Sequence, residues 1–250
     1  MSPPTASPAT RSNRRASRSH QGVENGARSA AAIDLLELEP ELRRLMTPEQ
    51  CAAAARFLLP VATLENDGDL AALVDQSDGF GALVLDGVLR QTVQIGAHQT
   101  LRLIGPGELV PLERELNWMP FARSRVLPAD RARLVVLGNA FLVATRRWPW
   151  AVACLHDRML EQSARLTKQI AICQLPRVQD RLIAMLRLLA ESWGTVTTAG
   201  IRLQLSLSHE TLGQLIGARR PTVTLAVKAL AEQNCLIRED TGWLIIGEQP

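Results

Sequence analysis

The sequence predicts an α+β chain: an N-terminal antiparallel β-roll, one long helix, and a C-terminal winged helix-turn-helix. Three observations lead there. Short apolar runs broken by Gly, Asp and Pro fill residues 61–136. A heptad-like apolar series follows within residues 146–175. Two short amphipathic helices joined at a glycine, then a hairpin, close the chain.

Residues 1–30 are rich in Ser, Pro, Ala and Arg and nearly devoid of apolar side chains larger than Ala. They bury too little surface to offset their ordering entropy, which predicts a disordered tail. Arg11, Arg14, Arg15 and Arg18 read as solvated charges in it. The roll domain is drawn over residues 31–145, with short helices at its start. One begins near Ile33. Another has Thr47 as N-cap, Pro48 at N1 and Gln50 at N3, and is predicted to run to about Leu59. Gly81–Asp86 and Val88–Arg90 read as strands about an Asp86-Gly87 turn. Thr100–Ile104, the Gly105-Pro106-Gly107 turn, Glu108–Val110 and Arg133–Leu137 continue the pattern of a small roll or barrel.

Residues 146–175 are predicted to form a long dimerisation helix. Val152, Leu155, Met159, Leu166, Ile170 and Cys173 recur at spacings of 3, 4, 7, 4 and 3, with polar residues interrupting near Gln162. A helix packed on its own domain is the alternative. Residues 176–250 form the last domain. Gln179–Trp193 is an amphipathic helix, and Thr195–Leu207 reads as a hairpin around Ala199-Gly200.

Ser208 then caps a helix with Leu212, Leu215 and Ile216 on its apolar face, and Gly217 ends it. Pro221 suits N1 of a second helix, where its missing N–H costs nothing. Val223, Val227 and Leu230 bury one side of that helix; Arg219, Arg220, Thr222, Thr224 and Lys228 occupy the other. An ordinary αα-hairpin would share this periodicity. A following hairpin, Cys235–Arg238 and Trp243–Ile246 about Glu239–Gly242, makes it a winged helix and favours double-stranded DNA as partner. Ser208, His209, Arg219, Arg220, Thr222, Thr224, Lys228 and Arg238 are the candidate DNA-binding residues.

This order of pieces resembles the Crp/Fnr family of bacterial transcription regulators over roughly residues 33–247. The resemblance is carried by Asp180-Arg181-Leu182, Leu188-Leu189-Ala190-Glu191, Gly213, Gly217, Arg220, Thr222-Val223 and Gly242-Trp243-Leu244. In the roll it is carried by Val84-Leu85-Asp86-Gly87 and Gly105-Pro106-Gly107-Glu108. It implies a cyclic-nucleotide-binding-like roll and a homodimer reading a two-fold-symmetric operator. It further implies contact with RNA polymerase and an effector bound in the roll. Two departures qualify it. Pro221 replaces the Glu, and Leu225 the second Arg, that family members use on a TGTGA-type half-site, which removes a cytosine and a guanine reader.

The cyclic-phosphate cassette also departs. Glu108 and Arg123-Ser124 are the nearest effector-binding candidates, but Glu108 and Arg123 lie fifteen residues apart where the family has about ten, and Arg125 follows where Ala is expected. Control by cAMP or cGMP is therefore not expected; a cyclic-nucleotide-responsive regulator is the alternative. Trp118, Met119 and Phe121 fit an apolar ligand or ordinary core equally well.

Composition narrows the remaining classes. A net charge of +3 requires any DNA site to come from local clustering. Cys51, Cys154, Cys173 and Cys235 are widely separated, as are His20, His98, His156 and His209, so no metal, cofactor or cluster is expected. A cupin-like enzyme would need several His in the roll, and residues 61–145 hold one. No Gly-x-Ser-x-Gly motif, P-loop or carboxylate pair offers another chemistry, so no catalytic residue is assigned. No apolar run reaches the roughly 18 residues of a membrane span, and the N-terminus lacks an apolar signal core. The expectation is a cytoplasmic protein without membrane contact. A module whose winged helix binds a protein partner is the competing reading from another class.

Overall fold

Leu35, Leu36, Leu38 and Leu42 are all buried, although the chain that carries them makes only single helical turns. A computed structural model describes residues 28–246 apart from 39, 45, 66–69, 71–72, 75–78, 96–97, 112–121 and 127–130. Strand β1 (Arg28–Asp34) runs into α1 (Leu35–Leu38), and a 3-10 turn follows at Pro40–Arg44. The strand starts inside the stretch assigned to the tail, because its backbone pairs antiparallel with β2 (Leu58–Leu64). Helix α2 (Pro48–Ala54) has the expected capping box, with Thr47 and Gln50 each accepting from the other's backbone N–H. It stops at Ala54 rather than Leu59. The β2 residues beyond it are claimed by sheet pairing with β1 and β8.

The roll continues with β3 (Gly81–Asp86), β4 (Leu89–Ile95), β5 (His98–Ile104), β6 (Leu109–Pro111), β7 (Ala122–Val126) and β8 (Ala132–Leu137). Its two sheets have strand orders β1-β2-β8-β3-β6 and β5-β4-β7, with every pair antiparallel. The Asp86-Gly87 turn does not close a hairpin, as its dipeptide suggests; it carries the chain from one sheet to the other. Gly87 has φ +83°, and a Cβ there would lie 2.2 Å from the Arg131 carbonyl oxygen. Only glycine passes that corner. Val84, Leu134, Leu89 and Ile104 pack together from the two sheets. A second cluster joins Leu59, Leu83 and Val135 to Phe141 and Trp148.

The long helical stretch is broken once. Helix α3 (Asn139–Arg147) ends at Trp148, and α4 (Trp150–Cys173) begins after Pro149, which offers no N–H to continue a helix. Helix α4 is 24 residues long, about 36 Å. Helix α5 (Val178–Trp193) follows, then β9 (Gly194–Thr197) and β10 (Gly200–Leu203). Helices α6 (His209–Ile216) and α7 (Arg220–Glu232) precede β11 (Leu236–Glu239) and β12 (Gly242–Ile245). The last four strands make one sheet in the order β11-β12-β10-β9. Leu182, Leu186, Leu212, Ile216, Val223, Leu230 and Trp243 fill the core under it, and Leu101 and Leu103 of β5 belong to the same cluster.

One helix, two faces

Helix α4 divides its periodicity between two faces. Val152, Met159 and Ile170 are exposed, whereas Leu155 packs on the roll core and Cys173 on the C-terminal core. The outward ridge therefore runs Val152, His156, Met159, Ser163 and Ile170, all exposed, whereas Leu166 is half-buried and turns toward β4 and β5. Leu155 and Cys173, expected on the seam, serve this chain's own packing.

An adjacent polar face holds the roll. The Arg158 guanidinium donates to the Gly107 carbonyl at 3.0 Å. Gln162 clamps β6, donating to Leu109 O at 2.9 Å and accepting from Leu109 N at 3.3 Å. Arg165 lies 3.5 Å from the Glu108 carboxylate. Gln169 donates to Leu101 O at 3.2 Å and also reaches Leu215 O of α6 at 3.5 Å. One side chain thus touches both the roll and the helix-turn-helix.

Candidate nucleic-acid interface

The helix-turn-helix is built by local chemistry. Ser208 accepts from Thr211 N at 3.0 Å and so caps α6. Gly217 ends it at φ +65°, a left-handed cap that glycine adopts without strain. Gly213 lets the turn close tightly, since a Cβ there would sit 2.5 Å from Ala218 O. Helix α7 starts at Arg220, which places Pro221 at N2 rather than N1; the second N–H of a helix is also unpaired, so proline is still tolerated. Val223, Ala226 and Leu230 turn inward.

The outer face of α7 presents Arg219, Arg220, Thr222, Thr224 and Lys228, all exposed. Lys228 lies 3.8 Å from Glu232 on that surface. Thr224 donates to Arg220 O at 3.1 Å and is 2.9 Å from His209 Nδ1. On the wing, Arg238 stacks over the Trp243 ring at 4.5 Å and donates to Leu207 O at 3.3 Å. The Arg202 guanidinium makes a two-pronged pair with Glu239, at 2.8 and 3.0 Å, which holds the wing to β10. His209 sits where α6, α7 and the wing meet. Burial, then the charges of Arg238 and Arg220, hold its imidazole below the usual histidine range. Of the eight candidates, Arg219, Arg220, Thr222, Thr224, Lys228 and Arg238 are exposed, His209 is half-buried, and Ser208 spends its hydroxyl on the cap.

The effector candidates are placed differently. Glu108 is buried, accepts from Gly105 N at 2.8 Å and faces Arg165. Arg123 and Ser124 lie on β7, in register with Thr92 and Gln91 of β4. Trp118, Met119 and Phe121 lie outside the described residues. A groove of about 430 Å³ opens between β4–β5 and α4, lined by Gln91, Val93, Arg102, Leu166, Gln169 and Gln174 among others.

Sequence reading missed the coupling residues Arg158, Gln162, Arg165 and Gln169. Their spacing of 4, 3 and 4 was the available signal. It also missed Trp193, whose ring fills the space a side chain at Gly105 would need, and over which Arg165 sits at 6.0 Å. No helix among the described residues is long and apolar enough to cross a membrane.

Residues 180–248 match the family model of the Crp-like helix-turn-helix domain. A comparison with curated protein sequences gives no match. Among solved structures, a CooA variant from Carboxydothermus hydrogenoformans superposes with TM-score 0.62 at 14% identity, over 88% of this chain and 94% of that one. FixK2 from Bradyrhizobium japonicum gives 0.57 at 14% identity, over 75% and 92%. CLP of Xanthomonas campestris, described as a c-di-GMP responsive global regulator, gives 0.55 at 15% identity, over 75% and 94%. Residues 180–248 thus form a Crp-like helix-turn-helix domain, and the chain as a whole shares the fold of these regulators.

Proposed function

We propose that the chain works as a homodimer on a two-fold-symmetric operator, with α7 in the major groove and the wing beside the phosphate backbone. The observation that carries this is the exposed set of Arg219, Arg220 and Lys228 on α7 and Arg238 on the wing, with Thr224 tying the start of α7 to His209 of α6. A chain with a net charge of only +3 concentrates cations there. Arg219, Arg220, Lys228 and Arg238 supply phosphate and base contacts, with Thr222 and Thr224 adding hydroxyls. The outward ridge of α4 pairs with its copy in parallel, which sets two recognition helices on one side of the dimer.

Cyclic AMP and cyclic GMP are not its switch in this reading, because the Glu108 carboxylate is already engaged by Gly105 N–H and Arg165. A small-molecule effector enters the groove beside Gln169 instead, where it competes for the amide that ties the roll to α6. In this reading the protein works in the bacterial cytoplasm, with RNA polymerase as a further partner.

Selection of genomic DNA fragments with the purified full-length protein tests the function and returns the operator. An inverted repeat bound by two subunits supports the proposal. Recovery of random fragments, or binding that ignores salt, would leave a protein-interaction module as the better account.

A further inference from the structure

Leu225 is 68% exposed, more than any other large apolar residue of α7, and it stands on the ridge opposite the buried Val223, Ala226 and Leu230. Pro221 precedes it by one helical turn, and Arg219, Arg220 and Lys228 flank it, all exposed. No described residue covers this ridge, and the surrounding charge suits a polyanion. Resting on the reading that α7 enters the major groove, the occupant of the ridge is a base edge. Of the four bases, only thymine presents an apolar group there, its 5-methyl. We propose that Leu225 is a specificity-determining residue that packs on a thymine methyl in each half-site. Pro221 keeps the first turn of the ridge free of hydrogen-bonding side chains. The face thus reads by shape and methyl contact at its centre, and by Arg and Thr at its flanks.

Single thymines of the selected operator duplex are replaced by deoxyuridine, which removes the methyl and nothing else. Binding is measured at one salt concentration for the full-length protein and for Leu225→Ala and Leu225→Met. Removing one buried methyl is expected to weaken binding about fourfold at one position per half-site. Leu225→Ala should abolish that difference, and Leu225→Met should keep most of it. Because Leu225 lies on the surface, the melting temperature of both variants should match the parent. Uracil substitution that weakens parent and Leu225→Ala alike, or that has no effect anywhere on a duplex the parent still binds tightly, overturns the methyl contact while DNA binding stands. Failure of the parent to select any duplex overturns the DNA reading and this inference with it.

Discussion

His209 shows how much one side chain can report about the interface. Its folded pKa is lowered from the ordinary value of 6.5, first by burial and then by Arg238 and Arg220. The native state therefore binds fewer protons than the unfolded chain, and stability rises with pH across that window. Stability present above about pH 6.5 should fall as the pH drops from there toward the folded pKa. Thermal melts at a series of pH values test this: His209→Gln should flatten the change in that range, and an unchanged profile would remove His209 as its source. Arg220 carries the sharper functional expectation. Arg220→Ala should cost about 1–3 kcal/mol on the operator and relax preference at one base pair per half-site. Equal loss on operator and random duplex would make Arg220 a phosphate contact. Both residues were legible in the sequence, because a capped helix, a glycine and an Arg-Arg-Pro start leave few arrangements. Their meeting at the wing was not, since Arg238 and His209 are joined only by tertiary packing.

At the scale of elements, the capping box at Thr47 and Gln50 was readable because both partners lie within four residues. The end of α2 was not. Leu58 and Leu59 continue an apolar pattern that a helix or a strand could use, and pairing with β1 decides it. Helix α4 gives the same lesson about faces. An apolar heptad and a polar stripe run along it together, and sequence alone assigned Leu155 to the outward face although it packs on the roll. The roles of Arg158, Gln162, Arg165 and Gln169 were not legible, because their acceptors are backbone carbonyls and a carboxylate far away in the chain. The dimer prediction follows from the corrected ridge. Met159→Lys with Ile170→Glu places charges on the two most exposed apolar positions of α4. Sedimentation should then show a monomer with intact secondary structure and weak half-site binding. A persistent dimer would place the interface elsewhere.

Across the whole molecule, roll, long helix and helix-turn-helix form one connected network. Thr100 donates to Gln214 O at 3.5 Å, Gln214 donates to Gln99 at 3.2 Å, and Cys173 reaches Leu215 O. A ligand near β4 and β5 is therefore one side chain away from the first helix of the DNA-binding motif. The engagement of the Glu108 carboxylate by Gly105 N–H and Arg165 sets a specific expectation. Calorimetry with cAMP or cGMP up to about 1 mM, where binding corresponds to roughly 4 kcal/mol, should show no saturable heat. A micromolar dissociation constant that Arg123→Ala abolishes would make the roll a cyclic-nucleotide site.

In the proposed function, α7 and the wing bind DNA through a local cationic surface. The most direct measurement is the affinity of the full-length protein for the selected operator and for a random duplex, followed from about 50 to 200 mM salt. Log affinity should fall linearly with log salt on both duplexes, with the operator tighter throughout. A salt-insensitive affinity, or equal affinity for the two duplexes at every salt concentration, would contradict it.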